Sequence, residues 1–281
     1  MKLSIITINL NNVIGLRKTI ESVINQTSDS YEHIIIDGGS TDGSVDIIKQ
    51  FLEDEEYARH VTFWCSEKDS GVYEAMNKGI DKASGDYCLM LNSGDYFYDC
   101  NVLKMINMLK FDVDIVYFNV LMRKNNKEII YKYPDELNEN LIVGSRFMVN
   151  HQSMLIKISL QKSNYYNINY RIVSDYEFFI KAILEIKCSY RHIDSIMCSV
   201  DFETGISSTN IELRDEETVD VVFNYLTKKI STDKKLVYLY YDYNYGYGGL
   251  IRVFRKILNF VSRKTFRRNF KAFDKWEAEL K

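Results

Sequence analysis

At 281 residues, with 46% apolar and 14% aromatic side chains, the chain can bury one large core and is too apolar to remain unfolded. Its net charge of −3 is unevenly spread: residues 251–281 carry ten Lys and Arg against three Asp and Glu, a balance of +7 that leaves the rest at −10. This excludes a globally basic nucleic-acid binder and marks a local basic tail.

The first hundred residues alternate between strand-like and helix-like patterns. "KLSIITI" reads as a buried strand, and "GLRKTIESVINQ" as an amphipathic helix with Leu16, Ile20, Val23 and Ile24 on one side. "YEHIIID" is the next strand, ending at Asp37. The turn "GGSTDGS" follows, where Ser44 or Thr41 would cap the helix "VDIIKQFLE". "VTFWCSE" is a third strand, "GVYEAMNKGIDKA" a helix with Met76 in its apolar face, and "DYCLMLN" a fourth strand. Strict alternation implies βαβ units and a mostly parallel sheet. "KFDVDIVYFNVLM" and "KEIIYKYP" are strands of a different rhythm, which predicts a mixed sheet. "SDYEFFIKAILEI" reads as a helix and "CSYRHIDSIMCSV" as a strand, so the α/β domain spans 1–205. Residues 206–281 read as a helical extension, Tyr-rich and then basic.

The five cysteines are scattered, without metal-ligand spacing, and read as buried free thiols of a reducing compartment. "MKLSIITINLNN" lacks the apolar core of a signal peptide, and no 18-residue apolar run is present, so a cytoplasmic location is expected.

In an open α/β sheet, ligands sit outside the carboxyl ends of the strands. There this sequence puts Asn9 and Asn11, then Asp37 to Asp42, then Glu67 and Asp69, then Asn92-Ser93-Gly94-Asp95. Neither GxxxxGK[ST] nor an early GxGxxG is present to cradle phosphate, so a phosphate ligand would need a cation. A lone Asp at a strand tip among amide and hydroxyl oxygens suits Mg2+ or Mn2+ held partly through substrate phosphates.

"SIITINLNN", "TIESVINQT", "IIIDGGSTDGSVDII", "SEKDSGVYEAMNKGI" and "ASGDYCLMLNSGD", in that order, resemble the inverting family 2 glycosyltransferases of the GT-A fold. The resemblance is dense from Leu3 to Phe97 and thinner through "NHQSMLI", "VSDYEFFIKA" and "FETGISS". It implies a nucleotide diphosphate sugar donor, UDP-linked by default, and a Mn2+ or Mg2+ cofactor. Thr7 and Asn9 match the loop that wraps the nucleotide, Asp37 the acid that reads the base, and Asp69 an acid near the base pocket. Asp42 would stabilise its own loop. Asn77 falls in an Arg-Asn motif whose arginine is here Met76, passing that contact to Lys78. The family's Asp-x-Asp-Asp tip reads Asn92-Ser93-Gly94-Asp95, with Asp95 as the metal ligand, Asn92 facing a sugar hydroxyl and Gly94 beside the donor. Asp175 matches the catalytic base, favoured in its charged form near a helix start. His151 and Gln152 match an acceptor-side motif.

Each of these acids also has a plainer reading as a turn or helix-cap residue. The implied partners are the donor and a glycan or lipid-linked acceptor of surface polysaccharide assembly, with no nucleic acid. Residues 250–271 read as a basic amphipathic helix suited to an anionic membrane surface. The rival reading is an inactive nucleotide- or carbohydrate-binding relative, kept open by the depleted tip.

Overall fold

The computed structural model of the protein describes residues 1–124, 127–202 and 205–229. The basic segment 250–271 and the Tyr-rich stretch lie outside the described residues. Strands β1 (Leu3–Asn9), β2 (Tyr31–Asp37), β3 (Val61–Ser66) and β4 (Tyr87–Met90) alternate with helices α1 (Val13–Ile24), α2 (Ser44–Leu52), α3 (Glu55–Ala58) and α4 (Val72–Lys82). Then come β5 (Tyr96–Phe97), α5 (Val102–Met108), β6 (Ile115–Lys124), β7 (Lys127–Tyr131), β8 (Met154–Lys157), α6 (Ile158–Ser163), α7 (Ser174–Ile180) and β9 (Tyr190–Asp201). Helices α8 (Ile206–Thr209) and α9 (Ile211–Lys229) follow.

One nine-stranded sheet runs in the order β3-β2-β1-β4-β8-β6-β9-β5, with β7 alongside β6. The first four strands are parallel. β8 enters antiparallel between β4 and β6, so β6 points the same way as β4, and β9 follows β6 in parallel. The sheet is therefore mixed but mostly parallel, as the change of rhythm after residue 110 predicts. The carboxyl ends of β1, β2, β3, β4, β6 and β9 all open on one edge.

β1 and β2 are buried along their whole length, which explains their near-continuous apolar runs. Helix α4 covers one face, where Gly79 lets Ile6 approach so closely that an added Cβ would lie 2.3 Å from Ile6 Cγ2. On the other face Leu16, Ile20, Ile48 and Tyr57 enclose Ile35. Helix α9, read from the sequence as part of an extension beyond residue 205, buries Val219, Val222 and Leu226 in the main core. Among the described residues no helix is long and apolar enough to cross a membrane.

The cap of α2 differs from expectation. Neither Thr41 nor Ser44 caps it; the N-cap is Gly43 at φ +93°, and Asp42 Oδ1 accepts from the N–H and hydroxyl of Ser44. The predicted helix over 174–186 tightens into α7 and then widens into a π-helical turn at Lys181–Glu185.

Candidate active site

At the tips of β1 and β2, Asp37 is fully buried. Oδ1 accepts from Asn9 Nδ2 at 2.8 Å and Ser40 Oγ at 2.6 Å, while Oδ2 accepts from Ser40 N and Ser66 Oγ. Burial would raise this carboxyl, but the bonds from Ser40, Ser66 and Asn9 outweigh it and hold it below the usual range. With four donors on it, Asp37 organises the loop and has no oxygen left for a base. Asp69 takes the open position. An added Cβ on Gly38 would lie 2.8 Å from Asp69 Oδ2, and burial raises the Asp69 carboxyl.

Of three other sequence-nominated residues, Thr7 and Asn77 turn into the fold and Lys78 lies partly exposed at its surface. Thr7 is 0% exposed, with its hydroxyl between His33 Nε2 and the Leu91 carbonyl. Asn77 donates to the Tyr166 carbonyl and accepts from its N–H, tying α4 to the 164–172 loop. Lys78 is paired to Glu67 at 2.9 Å and Glu74 at 3.5 Å. Their strand or helix positions match the motif, but their side chains support the framework.

The tip after β4 is clamped by α1. Asn12 caps that helix through Gly15 N–H and also donates to the Ser93 carbonyl. The Thr19 hydroxyl donates to the Asp95 carbonyl at 2.7 Å and accepts from Gly94 N–H at 3.0 Å. Gly94 sits at φ +103°, a conformation that favours glycine.

Here the second half of the chain joins the first. The 3-10 turn His151–Ser153 sets Gln152 Nε2 2.9 Å from Asp95 Oδ2, while the N–H of Asp201 donates to Oδ1. Asp95 is only 6% exposed, and burial lifts its carboxyl to about 6 against those two hydrogen bonds. Beside it, Asn92 Nδ2 donates to His151 Nε2 at 3.0 Å, and His151 Nδ1 meets Asp175 Oδ2 at 2.9 Å. Asp175 Oδ1 is shared by the hydroxyl of Tyr73 and the N–H of Tyr176. In this order His151 Nδ1 faces the carboxylate as donor and Nε2 faces the Asn92 amide as acceptor.

The sequence description of glycosyl transferase family 2 matches residues 4–176. The chain belongs to that family. It is 28% identical to a PGL/p-HBAD biosynthesis glycosyltransferase of Mycobacterium bovis, over 74% of this chain and 80% of that protein. Its fold is similar to S. aureus TarS 1–349 in complex with UDP, with TM-score 0.61 and 16% identity over 81% of this chain and 66% of that one. It is also similar to the Pyrobaculum calidifontis mannosyltransferase PcManGT in complex with GDP-Man and Mn2+. That match has TM-score 0.57 and 12% identity, over 99% of this chain and 80% of that one. The sheet is thus of the GT-A type.

By itself the tip of this glycosyltransferase does not make a closed divalent-ion site; an ion at Asp95, the ligand nominated from the sequence, would take its remaining oxygens from the donor's phosphates. A hard cation needs several oxygens that converge on one space, whereas the tip supplies the carboxylate of Asp95, each of whose oxygens already accepts one hydrogen bond, from Gln152 or Asp201, and keeps one lone pair. Among the described residues no three His, Cys, Asp or Glu side chains gather as a metal site. Two residues of the site escaped the sequence reading. Tyr73 lies inside "GVYEAMN", and its position as the second residue of α4 carried no signal of a contact with Asp175. Arg123 ends an apolar strand run, and its guanidinium donates to the Gly94 carbonyl at 2.8 Å while lying 4.5 Å over the ring of Tyr96. A lone arginine closing an apolar strand was the available clue.

Proposed function

We propose that this chain transfers a sugar from a nucleoside diphosphate donor, with inversion, to a hydroxyl of a glycan or lipid-linked acceptor in surface polysaccharide assembly. The observation that carries this reading is the run Asn92–His151–Asp175–Tyr73 at the carboxyl edge of a GT-A sheet. UDP-sugars come first because TarS was solved with UDP and UDP-GlcNAc, and GDP-sugars second because PcManGT was solved with GDP-Man. The name of the mycobacterial relative supports a biosynthetic glycan or glycolipid acceptor.

In this reading Asn9 and Asp69 border the nucleotide, while Asn92 and Gly94 border the diphosphate sugar. The acceptor oxygen attacks the anomeric carbon from the face opposite the diphosphate. The bond from that carbon to the diphosphate oxygen breaks, and its electron pair leaves with the diphosphate. The acceptor's proton passes to Asp175. Oδ1 already holds Tyr73 and Tyr176, so the proton lands on Oδ2, which has a lone pair beyond its bond to His151. A cleft of about 140 Å³ beside Tyr73, lined also by Ile168, Tyr170, Arg171 and Ile206, gives the acceptor its approach.

The test is donor turnover with UDP-GlcNAc, UDP-Glc and GDP-Man, followed by NMR of the released or transferred sugar. The wild type should invert the anomeric centre. Asp175→Asn should lose about a hundredfold or more in rate while nucleotide affinity stays unchanged. Near-normal turnover by Asp175→Asn would remove the base assignment. Wild-type binding without any turnover would favour the inactive, donor-binding reading.

A further inference from the structure

We propose that Arg123 is a protein-borne cation for the donor diphosphate, doing at this tip what a carboxylate-held metal ion would otherwise do. The inference rests on the donor reading above and goes beyond it by assigning a charge that neither the motifs nor the relatives place.

Topology carries the first part. β6 runs parallel to β4, so Arg123, the next-to-last residue of β6, emerges on the same edge as the Asn92–Asp95 turn. Its side chain reaches that turn directly, donating from Nη2 to the Gly94 carbonyl. Stacking on Tyr96 fixes the plane of the guanidinium and leaves its charge intact.

Valence carries the second part. Of the three guanidinium nitrogens only Nη2 is hydrogen-bonded among the described residues, and Nε is buried with no partner. An unsatisfied buried donor costs about 1–3 kcal/mol, and the N–H groups of Nη1, which make no hydrogen bond among the described residues, suit a phosphate oxygen. Lys78, the cation nominated from the sequence, is instead held by two carboxylates. The tip offers the carboxylate of Asp95, whose two oxygens each accept a hydrogen bond already, and the guanidinium bonded to the turn itself is that of Arg123. As the bond to the anomeric carbon breaks, the electron pair passes to the diphosphate oxygen, and Arg123 offsets the negative charge that grows there.

The test is calorimetric binding of UDP, GDP and the corresponding nucleosides to the full chain, in EDTA and then with Mn2+. Wild type should bind one diphosphate in EDTA. Arg123→Met should weaken that diphosphate by at least about tenfold, the worth of one charge-assisted hydrogen bond, and leave the nucleoside unchanged. Arg123→Lys should recover part of the loss, which a merely disturbed fold would not. Equal diphosphate binding by wild type and Arg123→Met, or wild-type binding that vanishes in EDTA, overturns the role of Arg123 and leaves the donor reading standing. Failure of every nucleotide to bind, with and without Mn2+, overturns both.

Discussion

Nδ1 of His151 lies 2.9 Å from Oδ2 of Asp175, joining the start of β8 to the first turn of α7. The imidazole fixes the rotamer of the carboxylate proposed as base, and Asn92 fixes the imidazole. Replacing His151 by Ala should therefore lower kcat by about 10- to 100-fold, part of the 10²–10⁴ that a positioned base supplies, and leave the donor KM unchanged. Tyr73→Phe, which deletes one partner of Oδ1, should lower kcat in the same way and likewise leave the donor KM unchanged. A change confined to the acceptor KM would make His151 an acceptor contact, as its motif implies.

Gly38 is the floor beneath Asp69. An Ala there puts a methyl group 2.8 Å from Asp69 Oδ2, the end of a mobile side chain, so the carboxylate moves aside and the backbone does not. The expected outcome for Gly38→Ala is weaker nucleotide binding by calorimetry with an almost unchanged Tm.

The opposite result is expected at Gly79. A methyl there meets Ile6 Cγ2 at 2.3 Å inside the sheet–helix interface. Overpacking of this kind costs about 1–3 kcal/mol, against about 1 kcal/mol gained in helix propensity. Urea denaturation of Gly79→Ala should show a net loss of stability.

His33 is buried in β2 between the hydroxyls of Thr7 and Tyr57, and burial pulls its pKa down from 6.5 to about 3. Its folded pKa is depressed, so between those values the unfolded chain binds a proton that the folded chain refuses. Its contribution is fully present above about pH 6.5 and is lost as pH falls, by up to about 1.4 kcal/mol per unit. Asp95, with its raised pKa, works in the other direction below pH 6. The comparison of wild type with His33→Gln at pH 7, 6 and 5 isolates the histidine: the wild-type advantage should shrink as pH falls. A constant difference would mean that His33 titrates alike in the folded and the unfolded chain.

The alternation of β1 to β4 with α1, α2 and α4 was legible because β1, β2 and β4 are buried along their whole length, β3 at the sheet edge keeps an apolar run, and each helix shows one apolar stripe. The mixed sheet was legible from the changed rhythm after residue 110. Side-chain direction was less so. Asp37 and Asp69 both follow apolar strands, and only Ser40, Ser66 and Asn9, brought together by folding, decide which acid turns inward. Asn77 sits in its motif position yet bonds to Tyr166, 89 residues away. Arg123 reaches Gly94 across 29 positions. Such pairings depend on strand order, which no local pattern encodes.

β8 crosses the sheet against its neighbours, and His151 and Gln152 precede its first residue. The chain therefore delivers these two side chains on its way into the sheet, at the edge where β1, β2 and β4 deliver theirs on the way out. The lead-in to β8 is itself fixed, with Ile142, Val143 and Val149 in the main core and Asn150 hydrogen-bonded to Tyr133. A change in that lead-in would therefore be felt at His151 and Gln152, and through them at Asp175 and Asp95, far along the chain from where it was made.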